Sequence, residues 1–479
     1  MIEIGKVLKG ISFDPLKFPD VSVKGLTNNS LKVKKGFIFF AFQGSNIDGN
    51  NFIQDALDNG ACLVITDSKK VEPHQKIIKV DDVRVAAGLA CSNFYEFPQK
   101  KITLVGITGT NGKTSTSTIL KSILDLDDKK TLQVGTSGIK PDINIDLGLT
   151  TPDIFDLYEI LNHAVNENYK SVLLEVSSHA LSQKRIENIS FDITAFTNLT
   201  LDHLDYHKTM EEYFKEKLKL FDLNKDNGCS IVMYDDEYGK RISELKSNTK
   251  KISFIENDVD YFCSGFNLSD SGIECNLECS SNTLHLESKL IGSFNLENLV
   301  LAASIALELN IKIESISRGV ENCSNIEGRL HLVENKNNQT IFLDYGHTPD
   351  AYLKVLKALK NNFSQPLKVL FGAGGDRDKS KRPKMAEIIE KYSIECYLAP
   401  DNPRFENIEL INADVISGFS KDTHYSFNDR AEALKFALSK LKSDEILIIF
   451  GKGTEKFQDI NGKKHFYSDI EIIKEFYEN

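Results

Sequence analysis

The stretch LVGITGTNGKTSTSTIL, residues 104–120, constrains the fold of this 479-residue chain more than any other. An apolar, β-branched run gives way to glycines and then to apolar positions at helical spacing. It therefore predicts a buried strand, a tight loop and a helix, in that order. Gly106, Gly109 and Gly112 fall between the strand and the helix and let the backbone wrap closely, so that successive N–H groups and the helix N-terminus face an anion. Lys113 would then reach terminal phosphates and the Thr114 hydroxyl would ligate magnesium. The strict GxxxxGK(S/T) spacing is not met, because Ile107 stands where its first glycine belongs. The strand–loop–helix context is what predicts a nucleotide site.

The pattern around this segment gives the architecture. SVLLEVS (171–177) and DITAFTNL (192–199) read as buried strands flanked by helical segments, which predicts a mainly parallel sheet covered on both faces. Before it lies a block to residue 100 with short strand-like runs at 36–42 and 61–66 and a helical stretch ending at Pro98. From about 250 to 290 the short, polar pattern reads as small β hairpins rather than further βα units. A third block alternates strands (TIFLDY, PLKVLFGAGG, IECYLAP, EILIIFGKG) with helices, in the manner of a dinucleotide-binding, Rossmann-like domain. The expected fold is thus α/β with three domains, 1–100, 101–328 and 329–479, the central one a P-loop ATPase-like parallel sheet.

Three further features sit near the loop in this reading. Glu175 ends the run SVLLE, where a P-loop protein commonly keeps an acid for its metal. The next strand ends in TNLTLDHLDYH, placing Asp202, His203, Asp205 and His207 within six positions as candidate metal ligands. Thr209 and Glu212 then stand at capping-box spacing before a helix whose apolar stripe is Tyr213, Phe214, Lys217, Leu218 and Phe221. A lysine inside such a stripe either snorkels or is held with a lowered pKa, in which state it can react with carbon dioxide to form a carbamate.

Charge and composition narrow the partners. A formal net charge of −11 gives no general attraction to nucleic acid or to an anionic membrane, so an anionic ligand must be held by local basic groups. Eight scattered cysteines without a CxxC pair read as reduced thiols. The first residues lack a signal-peptide pattern, and no apolar run approaches the ~18 residues that span a bilayer. The expectation is a cytoplasmic protein, monomeric, acting on small molecules.

The strings GTNGKT, EVSSHALSQKR, DHLDYH with its downstream lysine, FNLEN, DYGHTPDA, FGAGGDRDKSKRPKM, DNPR and GKGTE occur in the order found in the Mur ligases. Over about residues 26–469 the chain resembles that family, in particular the branch that adds the third residue of the peptidoglycan stem peptide. The resemblance implies the three-domain Mur ligase architecture, ATP and Mg2+ as cofactors, and ATP contacts from Gly109, Thr110, Asn111, Gly112, Lys113, Thr114, Ser115, Asn298, Arg329, Asp344 and His347. It implies magnesium ligands in Thr114, Glu175, His203 and a carbamylated Lys217, which with Lys113 form the catalytic set. For UDP-MurNAc-L-Ala-D-Glu it implies contacts from Ser30, Thr150, Thr151, Ser177, Gln183 and Arg185.

By the same resemblance, the incoming amine would belong to a diamino acid. Arg404 in DNPR supplies a fork suited to the second carboxylate of meso-diaminopimelate, with Arg377 as another candidate and Glu455 able to accept from the distal ammonium. By resemblance Asp401, Asn402, Pro403 and Gly451 complete that site. Two strings depart from the family: Asn29-Ser30-Leu31 replaces its N-terminal Asp-Ser-Arg, and Thr454 replaces the histidine usual before Glu455. The expected reaction is amide formation through an acyl phosphate. The alternatives are the same ligation with L-lysine, a folylpolyglutamate-synthase-like ligase, and a non-catalytic nucleotide-binding regulator.

Overall fold

The computed structural model describes residues 2–12, 21–44, 47–143, 145, 148–280 and 282–478; of Asp205 it describes the backbone alone. At its centre the strand Thr103–Thr108 lies between Ser171–Glu175 and Phe191–Phe196, parallel to both. Apart from the half-buried Thr103 and Asp192, all residues of these three strands are buried, as the continuous apolar runs require for a sheet covered on both faces. Register sets the site: Glu175 lies opposite Ile107, and Phe196 opposite Thr108, so the two neighbouring strands end beside the glycine loop.

Gly106 lies inside the strand and not in the loop, correcting the sequence reading. A Cβ there would come within 2.9 Å of the Phe191 ring, so this glycine serves sheet packing. The helix Lys113–Leu126 follows the loop and buries Ile119, Leu120, Ile123 and Leu124 against helices Ser293–Glu308 and Ile313–Asn322.

Residues 250–290 form the expected hairpins and also show where they attach. Tyr261–Ser269, Gly272–Cys279 and Asn282–Ser288 form an antiparallel meander, but it extends the P-loop sheet itself, through Thr249–Ser253 and Asn224–Met233, to ten strands. Periodicity identifies a strand and cannot identify its distant partner.

The N-terminal block carries a four-stranded parallel sheet, Gly25–Thr27, Phe37–Phe40, Leu63–Thr66 and Ile77–Lys79. Its helix Val83–Phe94 packs through Ala86, Ala87 and Ala90 into the same hydrophobic core as Leu157, Tyr158 and Leu161 of the central helix Ile154–Asn166. The two blocks therefore share a continuous core. The C-terminal sheet has six strands and its own core on each face. Its strand Ile446–Phe450 runs between Thr340–Asp344 and Leu367–Phe371, parallel to both, so Asp344, Gly372 and Gly451 emerge at one edge. Arg430, fully buried in a bidentate pair with Asp469, donates to the Phe450 carbonyl and fixes that edge.

Candidate active site

The glycine loop is held by the strand end next to it. Gly109 (φ +149°) and Gly112 (φ +89°) adopt backbone that side chains disfavour, and a Cβ would sit 1.8 Å from Thr197 Oγ1 at the first and 2.4 Å from Asn298 Oδ1 at the second. Thr197 Oγ1 donates to the Asn111 carbonyl (2.6 Å), the Asn198 carbonyl accepts from Thr110 N (2.9 Å) and Asn198 Oδ1 accepts from Asn111 N (3.1 Å). Thr114 and Ser115 are buried in the first helical turn, where Thr114 Oγ1 accepts from Arg329 (3.3 Å). The Lys113 ammonium folds back on the loop, donating to the carbonyls of Gly109 (2.8 Å) and Thr110 (3.0 Å). Desolvation and the nearby Arg329 pull its pKa down, while Glu175 and Asp202 hold it up.

Glu175 is fully buried. One carboxylate oxygen accepts from Thr136 Oγ1 (3.0 Å) and the other is buried without a partner. Such an oxygen is costly unless something positive sits there at work. Gly135 makes room for it, since a Cβ at that position would lie 2.1 Å from Glu175 Oε1. Gly135→Ala should therefore displace the carboxylate and lower kcat about 100-fold while the fold survives. Phosphate release and a melting curve test this; an unchanged kcat would refute the placement of Glu175 in the reaction site.

The DHLDYH stretch behaves differently from its sequence reading. The side chains of Asp202, His203 and His207 do not form one metal cluster. His203, in left-handed conformation, pairs with Asp202 (3.4 Å), whereas His207 is buried and bonded to Ser178 Oγ (2.8 Å) on the helix Ser178–Ser182. The Asp205 side chain lies outside the described residues. Among the described residues, no three His, Cys, Asp or Glu side chains are placed so that they could hold a metal ion by themselves. The reason is local: the chain enters the short helix Leu204–His207 here, and helical rotation points successive side chains apart. Desolvation in the cleft, with His179, Lys113 and Lys217 nearby, holds His203 at about 4 against the pull of Asp202, leaving a neutral imidazole.

Lys217 is buried in the apolar stripe, on a helix capped by Thr209 as its spacing predicts. Its amine donates to the same Gly109 carbonyl as Lys113 (2.9 Å) and lies over the Tyr213 ring (4.7 Å). Burial first, and Lys113 second, push its pKa far down. An unpaired carboxylate oxygen, a neutral imidazole, the Thr114 hydroxyl and a buried amine whose pKa is pushed down thus surround the loop. Hard oxygen donors and one imidazole fit magnesium.

From the C-terminal block, Asp344 accepts from the N–H groups of Leu330 (2.8 Å) and Gly346 (2.7 Å); burial raises its pKa against the nearby Arg329. Asp350, at the start of helix Pro349–Asn362, accepts from Asn111 Nδ2 (3.3 Å) and so bridges to the loop. A cavity of about 260 Å3 opens between the blocks and is lined by Thr110–Lys113, Ser115, Thr136, Thr150, Ser177, Asp202, His203, Asn298, Arg329, Asp344 and His347 among others. Thr136, Asn198, Tyr345 and Asp350 were not singled out from sequence. Thr136 was within reach of it, as the first polar residue after the apolar strand Thr131–Gly135.

The remaining candidates lie outside this cavity's lining, in two groups. Thr151 Oγ1 donates to the Glu175 carbonyl (2.8 Å) and contacts Ser177 Oγ (3.2 Å), and Arg185 donates to the Thr151 carbonyl (3.1 Å) and to Gln183 Oε1 (2.6 Å). Ser30 is buried in a turn of the N-terminal block whose cap is Asn29, doing the work an Asp would do there; next to it Asn28 bonds Asp153 (3.0 Å) across to the central block. In the C-terminal group Arg404 (φ +51°) donates to the Gly375 carbonyl (2.6 Å), and Gly374 lies between its guanidinium and the Arg377 stem. Lys452, fully buried, bonds Asn402 Oδ1 (2.6 Å) and Glu455 Oε2 (2.9 Å), so one Glu455 oxygen is already engaged. One Asp401 oxygen is buried without a hydrogen bond, its nearest cation being Lys452 Nζ at 3.7 Å, and Gly451 (φ +104°) packs against that carboxylate. Thr454 bonds Tyr345 OH (2.8 Å).

Comparison with known proteins agrees with this layout. Three family models match in order: "Mur ligase family, catalytic domain" over residues 22–95, "Mur ligase middle domain" over 107–306 and "Mur ligase, glutamate ligase domain" over 328–453. A UDP-N-acetylmuramoyl-L-alanyl-D-glutamate–2,6-diaminopimelate ligase of Fusobacterium nucleatum is 39% identical over 98% of this chain and 97% of its own. An enzyme of the same name from Caldanaerobacter subterraneus is 38% identical over 98% of both chains. A solved structure of a ligase with that name superposes with a TM-score of 0.70 at 29% identity, covering 100% of this chain and 99% of that one.

Proposed function

This chain belongs to the Mur ligase family, and from that membership and the cleft's geometry we infer that it is an ATP-dependent ligase joining meso-diaminopimelate to UDP-MurNAc-L-Ala-D-Glu. The observation that carries the reading is the meeting of Lys113 and Lys217 on the Gly109 carbonyl, in a loop whose neighbouring strand end presents a buried, half-unpaired Glu175.

The chemistry follows from the reactants. A carboxylate resists amine attack, because its charge repels nucleophiles and oxide is a poor leaving group. Its oxygen attacks the γ-phosphorus of ATP instead, breaking the bond to ADP and giving an acyl phosphate. The amine then adds to the acyl carbon, the C–N bond forms, phosphate leaves and the nitrogen loses a proton. Lys113 supplies positive charge where the phosphoryl group is transferred, and Gly109–Ser115 surround the phosphates with backbone N–H groups. Magnesium, held by Thr114, Glu175, His203 and the carbamate of Lys217, would neutralise the phosphate charge. Thr150, Thr151, Ser177, Gln183 and Arg185, with Ser30, orient the UDP-linked substrate so that its D-glutamate side-chain carboxylate faces the loop. Asn298, Arg329, Asp344 and His347 enclose the rest of the nucleotide. The working parts correspond to residues 1–100, 101–328 and 329–479, acting as a monomer in the cytoplasm, where ATP and nucleotide-linked precursors are found.

The Arg404 guanidinium and the Arg377 stem both lie beside Gly374, and two arginines at the amino-acid end would suit a second carboxylate, favouring diaminopimelate over lysine. Arg404→Ala should raise the KM for diaminopimelate about 10- to 100-fold, the worth of a charged hydrogen bond of about 1.5–3 kcal/mol. The KM for ATP should stay unchanged, and equal effects on both would count against this role. The reading as a whole is tested by incubating the protein with Mg·ATP, UDP-MurNAc-L-Ala-D-Glu and either diaminopimelate or L-lysine, following phosphate and product mass. Product with diaminopimelate alone supports it. Product with lysine alone overturns the amino-acid assignment, and no product with either overturns the reaction.

A further inference from the structure

The N-terminal and central blocks meet along one face of the helix Val83–Phe94. Asp82 caps this helix, accepting from the backbone N–H groups of Arg84 and Val85 with one oxygen, and pairs through the other with Lys184 of the central block. Gly88 lets the helix approach the Glu187 backbone, where a Cβ would come within 2.9 Å of the carbonyl oxygen. Between these two contacts Arg84 reaches across. It donates to the Gln183 carbonyl (3.1 Å), makes a longer contact to the Gln43 carbonyl (3.4 Å), and its guanidinium lies over the Phe42 ring at 4.5 Å.

Gln183 is thereby held from both sides. Its side-chain oxygen accepts two guanidinium N–H groups of Arg185, at 3.1 and 2.6 Å, and Arg185 also donates to the Thr151 carbonyl (3.1 Å). Guanidinium groups can only donate, so the amide oxygen must face Arg185 and the Gln183 NH2 group must point the other way. The turn carrying it needs external support, because Lys184 is in the left-handed region (φ +52°), which a non-glycine residue adopts only when its surroundings hold it there. Arg84 and Asp82, both from the N-terminal block, supply that support at Gln183 and Lys184.

We propose that Arg84 is a positioning residue for the UDP-linked substrate, acting through Gln183 by fixing the turn that presents its amide donor and by joining that turn to the Phe42–Gln43 segment of the N-terminal block. The proposal rests on the substrate site assigned above to Gln183 and Arg185. A guanidinium suits the role because its planar fork reaches two carbonyls while its face rests on an aromatic ring, a combination that an ammonium, with no planar face, does not reproduce.

Steady-state kinetics of Arg84→Ala and Arg84→Lys test it, with each substrate varied in turn. The expected result for Arg84→Ala is a KM for the UDP-linked substrate raised about tenfold, with kcat and the KM values for ATP and diaminopimelate within about twofold of the parent, the pattern of lost ground-state binding. Arg84→Lys should recover part of the loss. In a cycle with Gln183→Ala, the two changes should be strongly non-additive, because each breaks the same element. Additive effects, or an Arg84→Ala enzyme with a lower melting temperature and unchanged KM, would overturn the proposal and leave Arg84 as packing alone. Should Arg84→Ala fail to fold, Arg84→Lys and Arg84→Gln carry the same comparison. Lack of turnover by the parent chain is a separate outcome, and it would overturn the ligase reading on which the proposal depends.

Discussion

Lys113→Met should lower kcat about 1000-fold, at the upper end of what removing one preorganised charge from a transition state costs. Methionine keeps the length of the stem, so the change deletes the cation and little else. In the present geometry that cation is parked on the Gly109 and Thr110 carbonyls, within the loop that would hold the phosphates. Neither carbonyl is a charged partner, so no ion pair has to be broken at hydrogen-bond distance for the ammonium to turn to an incoming phosphate. The same substitution removes the like charge that helps to lower the Lys217 pKa, so it disturbs the second lysine as well. Phosphate release measured with all substrates saturating, together with a melting temperature close to the parent's, gives the comparison. A variant within tenfold of parental kcat would mean that Lys113 is a loop-packing residue.

The phosphate loop was legible because its requirement is local. Close wrapping demands glycine at Gly109 and Gly112, and the lysine and hydroxyl that follow are fixed by helix geometry. Lys217 was legible as a misfit, a charge at a position where the helix period demands an apolar side chain; the structure keeps it buried there. The end of a buried strand likewise singled out Glu175. What periodicity could not supply was the direction of side chains once regular structure ends. His207 fits the ligand chemistry as well as His203 does, yet one turn of helix sends it to Ser178. Contacts made across blocks were equally hidden: Asp350 to Asn111 spans 239 positions and Arg84 to Gln183 spans 99. The departure at Thr454 shows the limit of reading a string. The hydroxyl finds Tyr345, whose ring also packs against Gly328 and Gly453, so the loss of a histidine there leaves the loop tied to the nucleotide side.

The two lysines pose a problem that one protein charge cannot answer. Burial leaves an ammonium at Lys217 poorly solvated, and a charged Lys113 on the same carbonyl repels it, so both drive Lys217 towards its neutral form. Neutral, it is a nucleophile. On the reading proposed above, its nitrogen would add to the carbon of carbon dioxide with loss of a proton, giving an anion with two oxygen donors in place of a second cation beside Lys113. Repulsion would become attraction, and this lysine-bearing wall of the cleft would gain the negative charge that suits a magnesium ion.

Lys217→Ala should accordingly lower kcat about 100- to 1000-fold without unfolding the chain, since a small apolar residue suits the buried stripe and what is lost is a charge acting on the phosphate centre. The parent enzyme should lose activity in buffer stripped of carbon dioxide and regain it with bicarbonate. Lys217→Glu, which supplies a carboxylate permanently, should retain part of the activity and show no response to bicarbonate. The pH dependence has a fixed sign. Carbamate forms from the neutral amine, so activity falls as the pH drops and the amine is protonated, and added bicarbonate should move that loss to lower pH. Because burial lowers the amine's pKa, the loss should set in well below the ordinary lysine range. Phosphate release across pH with and without bicarbonate reads all of this at once. A parent enzyme indifferent to carbon dioxide at every pH would leave Lys217 as a cation whose partner is the phosphate, and Lys217→Arg would then be the active variant in place of Lys217→Glu.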